Sequence, residues 1–152
     1  MKRLAEAKAQ AVANRHNNAL VIGSDQVATF DGQILGKPHT HENAVKQLKQ
    51  FSGQKVTFLT GLAVINTDNG TTLSTVEPLD VHFKRITNEE IEAYLINEQP
   101  YNCAGSFKSE ALGICLFEKL LGDDPNTLVG LPLIRLTEYL SQLGFSVLEH
   151  QK

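Results

Sequence analysis

The sequence predicts a mixed α/β fold for a single domain that spans residues 1–152. Three observations support this prediction. Stretches of strong helix formers alternate with runs of β-branched residues, apolar residues make up 41% of the chain, and the length suits one packed core. These properties exclude a disordered chain and a collagen-like chain.

Charge and cysteine content narrow the class of protein further. The 14 basic residues are outnumbered by 17 acidic ones, which argues against a nucleic-acid partner. No apolar run reaches the ~18 residues of a membrane span, and the N-terminus has no secretory signal, so we expect no membrane partner. Cys103 and Cys115 are too few for a disulfide framework. We expect two free thiols in the cytoplasm, with a bridge between them as the alternative.

The first elements of the chain are a helix and a strand. Strong helix formers predict a helix over residues 3–15, with Leu4, Ala7 and Ala11 as its inward stripe. Lys8 lies beside that stripe, where a lysine commonly extends to water.

Residues 19–28 begin as an apolar strand that Gly23, Ser24 and Asp25 then break. A carboxylate just past a strand end is where open α/β sheets tend to build their sites. The alternative for Asp25 is a solvated turn aspartate.

The middle of the chain combines a helix with a long hairpin. Residues 31–38 are a short extended piece between two turns, and Thr40 is placed to cap a helix over 42–51. The β-rich runs 55–67 and 71–85 flank a turn sequence and predict a β-hairpin.

The last third alternates again between helices and strands. Residues 87–90 have the T-x-x-E form of a capping box at the start of a helix. A polar loop over 99–111 leads into a predicted strand at 112–120. Pro132 then begins a helix to about Leu143, and residues 145–149 form a predicted last strand.

Common catalytic fingerprints are missing from the sequence. It has no P-loop, no G-x-G-x-x-G, no G-x-S-x-G and no H-E-x-x-H motif. The remaining candidate for a catalytic residue is Asp25, together with basic residues such as Lys8 and Lys37. A carboxylate together with substrate phosphates is a common way to hold Mg²⁺, and lysines can neutralise those phosphates.

Four motifs follow one another along the chain: Gly23-Ser24-Asp25-Gln26, Gly36-Lys37-Pro38, CAGSFKSE at 103–110 and NTLVGLP at 126–132. Together and in this order, they resemble the Maf family of nucleoside triphosphate pyrophosphatases from about Leu4 to Glu149. The variants Gln26 and SFKSE resemble the subgroup that acts on 7-methyl-GTP.

The resemblance implies an elongated mixed sheet flanked by helices, with two lobes around a central cleft, and a homodimer as the common assembly. It also implies a hydrolase that uses a divalent cation, Mg²⁺ or Mn²⁺. Water attacks the α-phosphate of a nucleoside triphosphate, and the products are the monophosphate and pyrophosphate.

The resemblance assigns roles to individual residues as well. Asp25 matches the family's proton acceptor and is also the candidate metal ligand. Lys8 and Lys37 match lysines that hold phosphate, while Gln26 and Glu110 match positions that set the specificity of the subgroup.

The chemistry of the base supports an acidic residue near it, because a 7-methylguanine ring carries a positive charge that guanine lacks. Glu110 could accept hydrogen bonds from the base, and Phe107 could stack on the cationic ring. The alternatives are a surface carboxylate for Glu110 and ordinary core packing for Phe107.

The sequence departs from the family at its start. Family members open with a strand and an S-x-S-x-R-R loop that binds the triphosphate, and this sequence has no such motif. Met1 either simply begins the first helix or follows a lost segment, and we expect an N-terminally truncated fold. The alternative function is a non-catalytic nucleotide-binding or cell-division-linked protein, and canonical or other modified nucleotides are alternative substrates.

Overall fold

A computed structural model describes residues 1–151 and has a mixed α/β fold, which confirms the predicted class. The helices are α1 (Lys2–Ala13), α2 (His41–Phe51), α3 (Asn88–Glu98) and α4 (Leu133–Gln142). The strands are β1 (Leu20–Phe30), β2 (Gln33–Leu35), β3 (Lys55–Asn66), β4 (Thr72–Phe83) and β5 (Phe117–Leu121). No helix within residues 1–151 has the length and apolar character needed to cross a membrane.

The five strands form one sheet in the order β2-β1-β3-β4-β5. Strand β2 pairs antiparallel with β1, with Ala28 opposite Leu35, and β5 pairs antiparallel with β4, with Val81 opposite Leu120. The two neighbouring strands β3 and β4 are the arms of the predicted hairpin, so this prediction is confirmed.

The chain forms two compact units. The first unit contains Met1–Gln26, Leu59–Pro78 and Asp124–Lys152, and the second contains Val27–Phe58 and Leu79–Asp123. Strands β1, β3 and β4 therefore contribute residues to both units.

In the first unit, α1 packs through a face of small residues. Ala5, Ala9 and Ala13 are buried, together with Val21 and other strand residues. The predicted inward stripe was wrong, because Leu4, Ala7 and Ala11 are exposed. The helix lies so close to the sheet that only alanine fits beneath it.

Gly23 on β1 explains this close approach. A Cβ atom at Gly23 would lie 2.3 Å from the carbonyl oxygen of Ala5 and 2.6 Å from the amide nitrogen of Ala9. Gly61 on β3 has the same function, with 2.5 Å from its Cβ position to the carbonyl oxygen of Met1. Glycine is the residue that lets two backbones approach this closely.

Helix α4 covers another part of the first unit. Its residue Leu136 packs with Leu62 and Val64 of β3. The helix begins directly after Pro132, as the sequence predicts, and Gly144 adopts the left-handed conformation beyond its end.

The second unit has an aromatic core. Phe107 lies at its centre, with ring centroids 5.5 Å from Phe58, 5.2 Å from Phe83 and 5.3 Å from Phe117. All three pairs are edge-to-face, which is a favourable arrangement for aromatic rings.

Helices α2 and α3 begin where their capping residues predict. The hydroxyl of Thr40 accepts a hydrogen bond from the amide of Asn43. Thr87 and Glu90 form a complete capping box, each side chain bonded to the other's backbone amide. Both bonds satisfy amides that the first helical turn leaves free.

Three sequence-based expectations about strands were wrong. Strand β1 continues through Gly23, Ser24 and Asp25 to Phe30. Leu112–Leu116 is a 3₁₀ helix, and only Phe117–Leu121 forms the predicted strand. Residues 145–149 contain no strand, and Leu148–His150 is a 3₁₀ turn.

Candidate functional site

Asp25 and Lys8 meet on one side of the first unit. The ammonium group of Lys8 donates a hydrogen bond to Asp25 Oδ1 over 2.7 Å and another to the carbonyl oxygen of Ser24 over 3.2 Å. The Asp25 side chain is 21% exposed and the Lys8 side chain 55% exposed. The pair is therefore held in place yet open to solvent.

Gln26 faces the opposite side of β1, because successive side chains of a strand alternate. Its amide nitrogen donates to Thr60 Oγ1 and to the carbonyl oxygen of Thr127, both over 2.8 Å. Both hydrogens of the Nε2 group are thus used within the first unit. The carbonyl oxygen Oε1 is the polar atom of Gln26 left for any role toward a ligand.

The loop that follows Asp124 contacts both β1 and β3 on that opposite side. Ser24 Oγ donates to the carbonyl oxygen of Gly130 over 2.9 Å, and Thr60 Oγ1 donates to that of Thr127 over 3.3 Å. This part of the NTLVGLP motif therefore contacts the strand that carries Asp25 through backbone carbonyls.

Asp124 holds this loop through both oxygens of its buried carboxylate. Oδ1 accepts from the backbone and side-chain nitrogens of Asn126, and Oδ2 accepts from the amide of Ile134, each over 2.8 Å. Burial works against the ionised form, but these hydrogen bonds outweigh it and lower the pKa of Asp124. One side chain thus caps both the 3₁₀ helix Pro125–Val129 and the start of α4.

Replacing Asp124 with Asn should cost about 2 kcal/mol of unfolding free energy at pH 7, because the amide cannot accept at both positions. The pKa is lowered on folding, so the ionised carboxylate contributes fully above the unfolded pKa of ~3.9. That contribution is lost as the pH falls through the lower pKa of the folded state. The difference in unfolding free energy between the original chain and Asp124→Asn should therefore become smaller in acid, as measured by urea unfolding from pH 7 to pH 3.

The control for this prediction is Asp123→Asn, which removes the same charge from an exposed neighbour. A loss of stability in Asp124→Asn that stays constant down to pH 3 would contradict the assigned cause.

The donors around Asp25 fit a divalent cation only in a shared site. Within residues 1–151, no three His, Cys, Asp or Glu side chains lie close enough to hold a metal ion between them. Mg²⁺ is nevertheless often bound by one or two carboxylates plus substrate phosphates. The hard oxygen donors of Asp25 fit such a cation.

Lys37 lies in the second unit, in an exposed loop whose backbone is hydrogen-bonded to side chains of α2. Asn43 Nδ2 donates to the carbonyl oxygen of Pro38, and Gln47 Nε2 donates to that of Gly36, each over 3.1 Å. The backbone is therefore fixed on both sides of Lys37, while the lysine itself is exposed.

Glu110 is also in the second unit, in an exposed turn that α3 holds. The hydroxyl of Tyr94 accepts from the amide of Lys108 over 2.9 Å, and Glu98 Oε1 accepts from the amide of Leu112 over 3.2 Å. Burial raises the pKa of Tyr94, so its hydroxyl stays neutral. The Glu110 carboxylate remains accessible, with Ser109 as its neighbour.

Phe107 occupies a different environment from Glu110. Its ring is 5% exposed and packs against three phenylalanines, which is the core-packing alternative that the sequence left open. Little of the ring is therefore exposed for a nucleobase to stack on.

Sequence reasoning missed the residues that support the site. Thr60, Gln47 and Asp124 have no motif signal of their own, and their roles depend on partners far away in the chain. Only the Asp-Pro-Asn order at 124–126 hints at a capping aspartate. As predicted, Cys103 and Cys115 are free thiols, and burial raises the pKa of Cys103.

Comparison with known proteins agrees with these motifs. The family model described as Maf-like protein matches residues 1–143. A 7-methyl-GTP pyrophosphatase of Pseudoalteromonas translucida (strain TAC 125) is 60% identical over 151 residues, which is 99% of this chain and 75% of that protein.

Two further relatives carry the same name. That of Colwellia psychrerythraea is 58% identical over 99% of this chain and 76% of its own length. That of Nitrosococcus oceani is 60% identical over 96% of this chain and 73% of its own length. The resemblance inferred from the motifs is confirmed: the chain belongs to the Maf-like family.

Proposed function

We propose that this protein is a nucleoside triphosphate pyrophosphatase that acts on 7-methyl-GTP. In the reaction, water attacks the α-phosphorus, the bond between that phosphorus and the α–β bridging oxygen breaks, and pyrophosphate leaves. The other product is 7-methyl-GMP. The substrate is suggested by the name that the three relatives share.

The observation that carries this proposal is the contact between Lys8 and Asp25. These residues are 17 positions apart, come from a helix and a strand, and meet over 2.7 Å on one partly exposed surface. A carboxylate beside an ammonium group provides a proton acceptor and a phosphate ligand within one small area.

Both side chains keep unused hydrogen-bonding positions for these tasks. An ammonium group has three donors, and Lys8 uses two of them on Asp25 and Ser24. The third can bind a phosphate oxygen. Asp25 Oδ1 faces Lys8, so Oδ2 is the oxygen that would orient the attacking water and accept its proton.

A divalent cation fits the same place, and Asp25 with the substrate phosphates would hold it. When bound, such a cation neutralises phosphate charge that develops during the displacement. We propose Mg²⁺ or Mn²⁺, since both prefer oxygen ligands.

Lys37 and Glu110 keep the roles that the family resemblance implies. The exposed ammonium of Lys37 would bind phosphate, and the exposed carboxylate of Glu110 would accept from the base and attract the positive charge of 7-methylguanine. Gln26 is a weaker candidate for base recognition, because its amide nitrogen is already bonded.

The direct test is pyrophosphate release by this chain with Mg²⁺ or Mn²⁺, using 7-methyl-GTP, GTP, UTP and dTTP. We expect 7-methyl-GTP to have the highest kcat/KM. A chain that binds 7-methyl-GTP in calorimetry but releases no pyrophosphate from any of the four would contradict the enzymatic proposal.

Replacing Glu110 with Ala should lower the preference for 7-methyl-GTP over GTP about tenfold, the effect of losing one charge-assisted hydrogen bond. The ratio of the two kcat/KM values measures this preference. Glu118→Ala is the matched control, because it removes the same charge from an exposed position in the same unit. An unchanged ratio in Glu110→Ala would rule out base recognition by this carboxylate.

A further inference from the structure

We propose that Gln47 is a positioning residue that joins the loop of Lys37 to the loop of Glu110 and thereby sets the selectivity for the base. The inference rests on the proposed function, which assigns phosphate binding to Lys37 and base recognition to Glu110. Gln47 itself lies on α2, and no sequence motif marks it.

The side chain of Gln47 contacts both loops at once. Its Nε2 donates to the carbonyl oxygen of Gly36 over 3.1 Å, and its Oε1 accepts from the hydroxyl of Ser106. A backbone carbonyl can only accept, so the amide nitrogen must face Gly36 and the amide oxygen must face Ser106. The orientation of the amide is therefore fixed by chemistry.

Ser106 depends on this contact. The residue is fully buried, and a buried hydroxyl without a partner is costly. Its backbone has φ 67°, directly after Gly105 with φ 79°, and a left-handed conformation is unfavourable for serine. The bond to Gln47 therefore stabilises a backbone conformation that would otherwise tend to relax.

The conformation at Ser106 matters for the residues that follow it. Phe107 must enter the aromatic core, and Lys108 must reach the hydroxyl of Tyr94. Glu110 comes two residues later, at the exposed end of the same segment. A shift at Ser106 would move Glu110, and the same loss would free the carbonyl of Gly36 beside Lys37.

Gln47→Met is the primary test, because methionine keeps the length and the helix propensity but forms neither hydrogen bond. We expect hydrogen–deuterium exchange of the amides of residues 104–108 to become about tenfold faster. In the assay, we expect the ratio of kcat/KM for 7-methyl-GTP to that for GTP to fall about tenfold, as a misplaced binding group predicts.

Two further variants complete the experiment. Ser106→Ala removes only the hydroxyl and should accelerate exchange in the same segment, which keeps the test decisive if Gln47→Met folds poorly. Gln50→Met changes an exposed residue of the same helix and should leave exchange and selectivity as in the original chain.

The outcomes separate this inference from the proposed function. If the original chain releases no pyrophosphate, the proposed function fails, and exchange alone decides whether Gln47 holds the loop. Exchange that is equal in Gln47→Met and the original chain overturns the inference. So does an unchanged selectivity ratio in an active Gln47→Met enzyme.

Discussion

Replacing Asp25 with Asn should lower pyrophosphate release from 7-methyl-GTP about a thousandfold, the usual contribution of a positioned proton acceptor. Asparagine has the same shape and can still accept the hydrogen bond from Lys8, so the local structure should be preserved. What disappears is the negative charge that accepts a proton from water and attracts a cation. The measurement is kcat/KM under saturating Mg²⁺ and again under Mn²⁺.

A matched control is available at Asp31, in the turn directly after β1. Asp31→Asn changes an exposed turn residue with φ 50°, a conformation that asparagine adopts as readily as aspartate. It should retain the original activity. If Asp25→Asn keeps more than about a tenth of the original kcat/KM, Asp25 is not the proton acceptor.

Gly23→Ala should destabilise the protein by about 3 kcal/mol or more, at the upper end of the cost of overpacking. The new methyl group would lie 2.3 Å from the carbonyl oxygen of Ala5, and backbone atoms cannot move aside as a flexible side chain can. Helix α1 must therefore shift away from β1. Urea unfolding monitored by circular dichroism measures the loss.

The same shift should also lower activity, because α1 carries Lys8. Gly36→Ala is the control for stability, since a Cβ at Gly36 would meet no atom within 4 Å. We expect Gly36→Ala to unfold at nearly the original urea concentration. Equal stability of Gly23→Ala and the original chain would show that α1 does not lie as close to β1 as the structure has it.

Local signals in the sequence were sufficient for elements whose partners are nearby in the chain. The capping box of Thr87 and Glu90 involves residues three positions apart, and the end of α4 at Gly144 depends on a single left-handed residue. Such features can be predicted because the atoms that form them are already neighbours in the sequence.

The errors arose where distant residues decide the outcome. Gly23, Ser24 and Asp25 are typical turn residues, yet each has a distant partner that keeps β1 extended. Gly23 has no side chain and so leaves room for α1, Ser24 bonds Gly130, and Asp25 bonds Lys8. The strand predicted at Leu112–Leu116 failed for a local reason instead: the amide of Gly113 bonds the carbonyl of Lys108, five residues earlier, and closes a tight loop.

The candidate site shows the same division. The family resemblance proposed Asp25 and Lys8 as site residues, and in the structure these two side chains are in contact. It did not identify Gln47, because the link between Gly36 and Ser106 exists only after both loops have folded onto α2. It also offered Phe107 as a stacking residue, whereas burial among aromatic neighbours decides its environment.

The alternation along β1 has a consequence for the length of this strand. Gly23 and Asp25 face α1, while Ser24 and Gln26 face the loop after Asp124. An insertion or deletion of one residue before Gly23 would slip the register and exchange the two sets. The carboxylate would then point at backbone carbonyls, and the glutamine at a lysine. Substitutions in β1 can be compensated one at a time, but a change in residue number cannot.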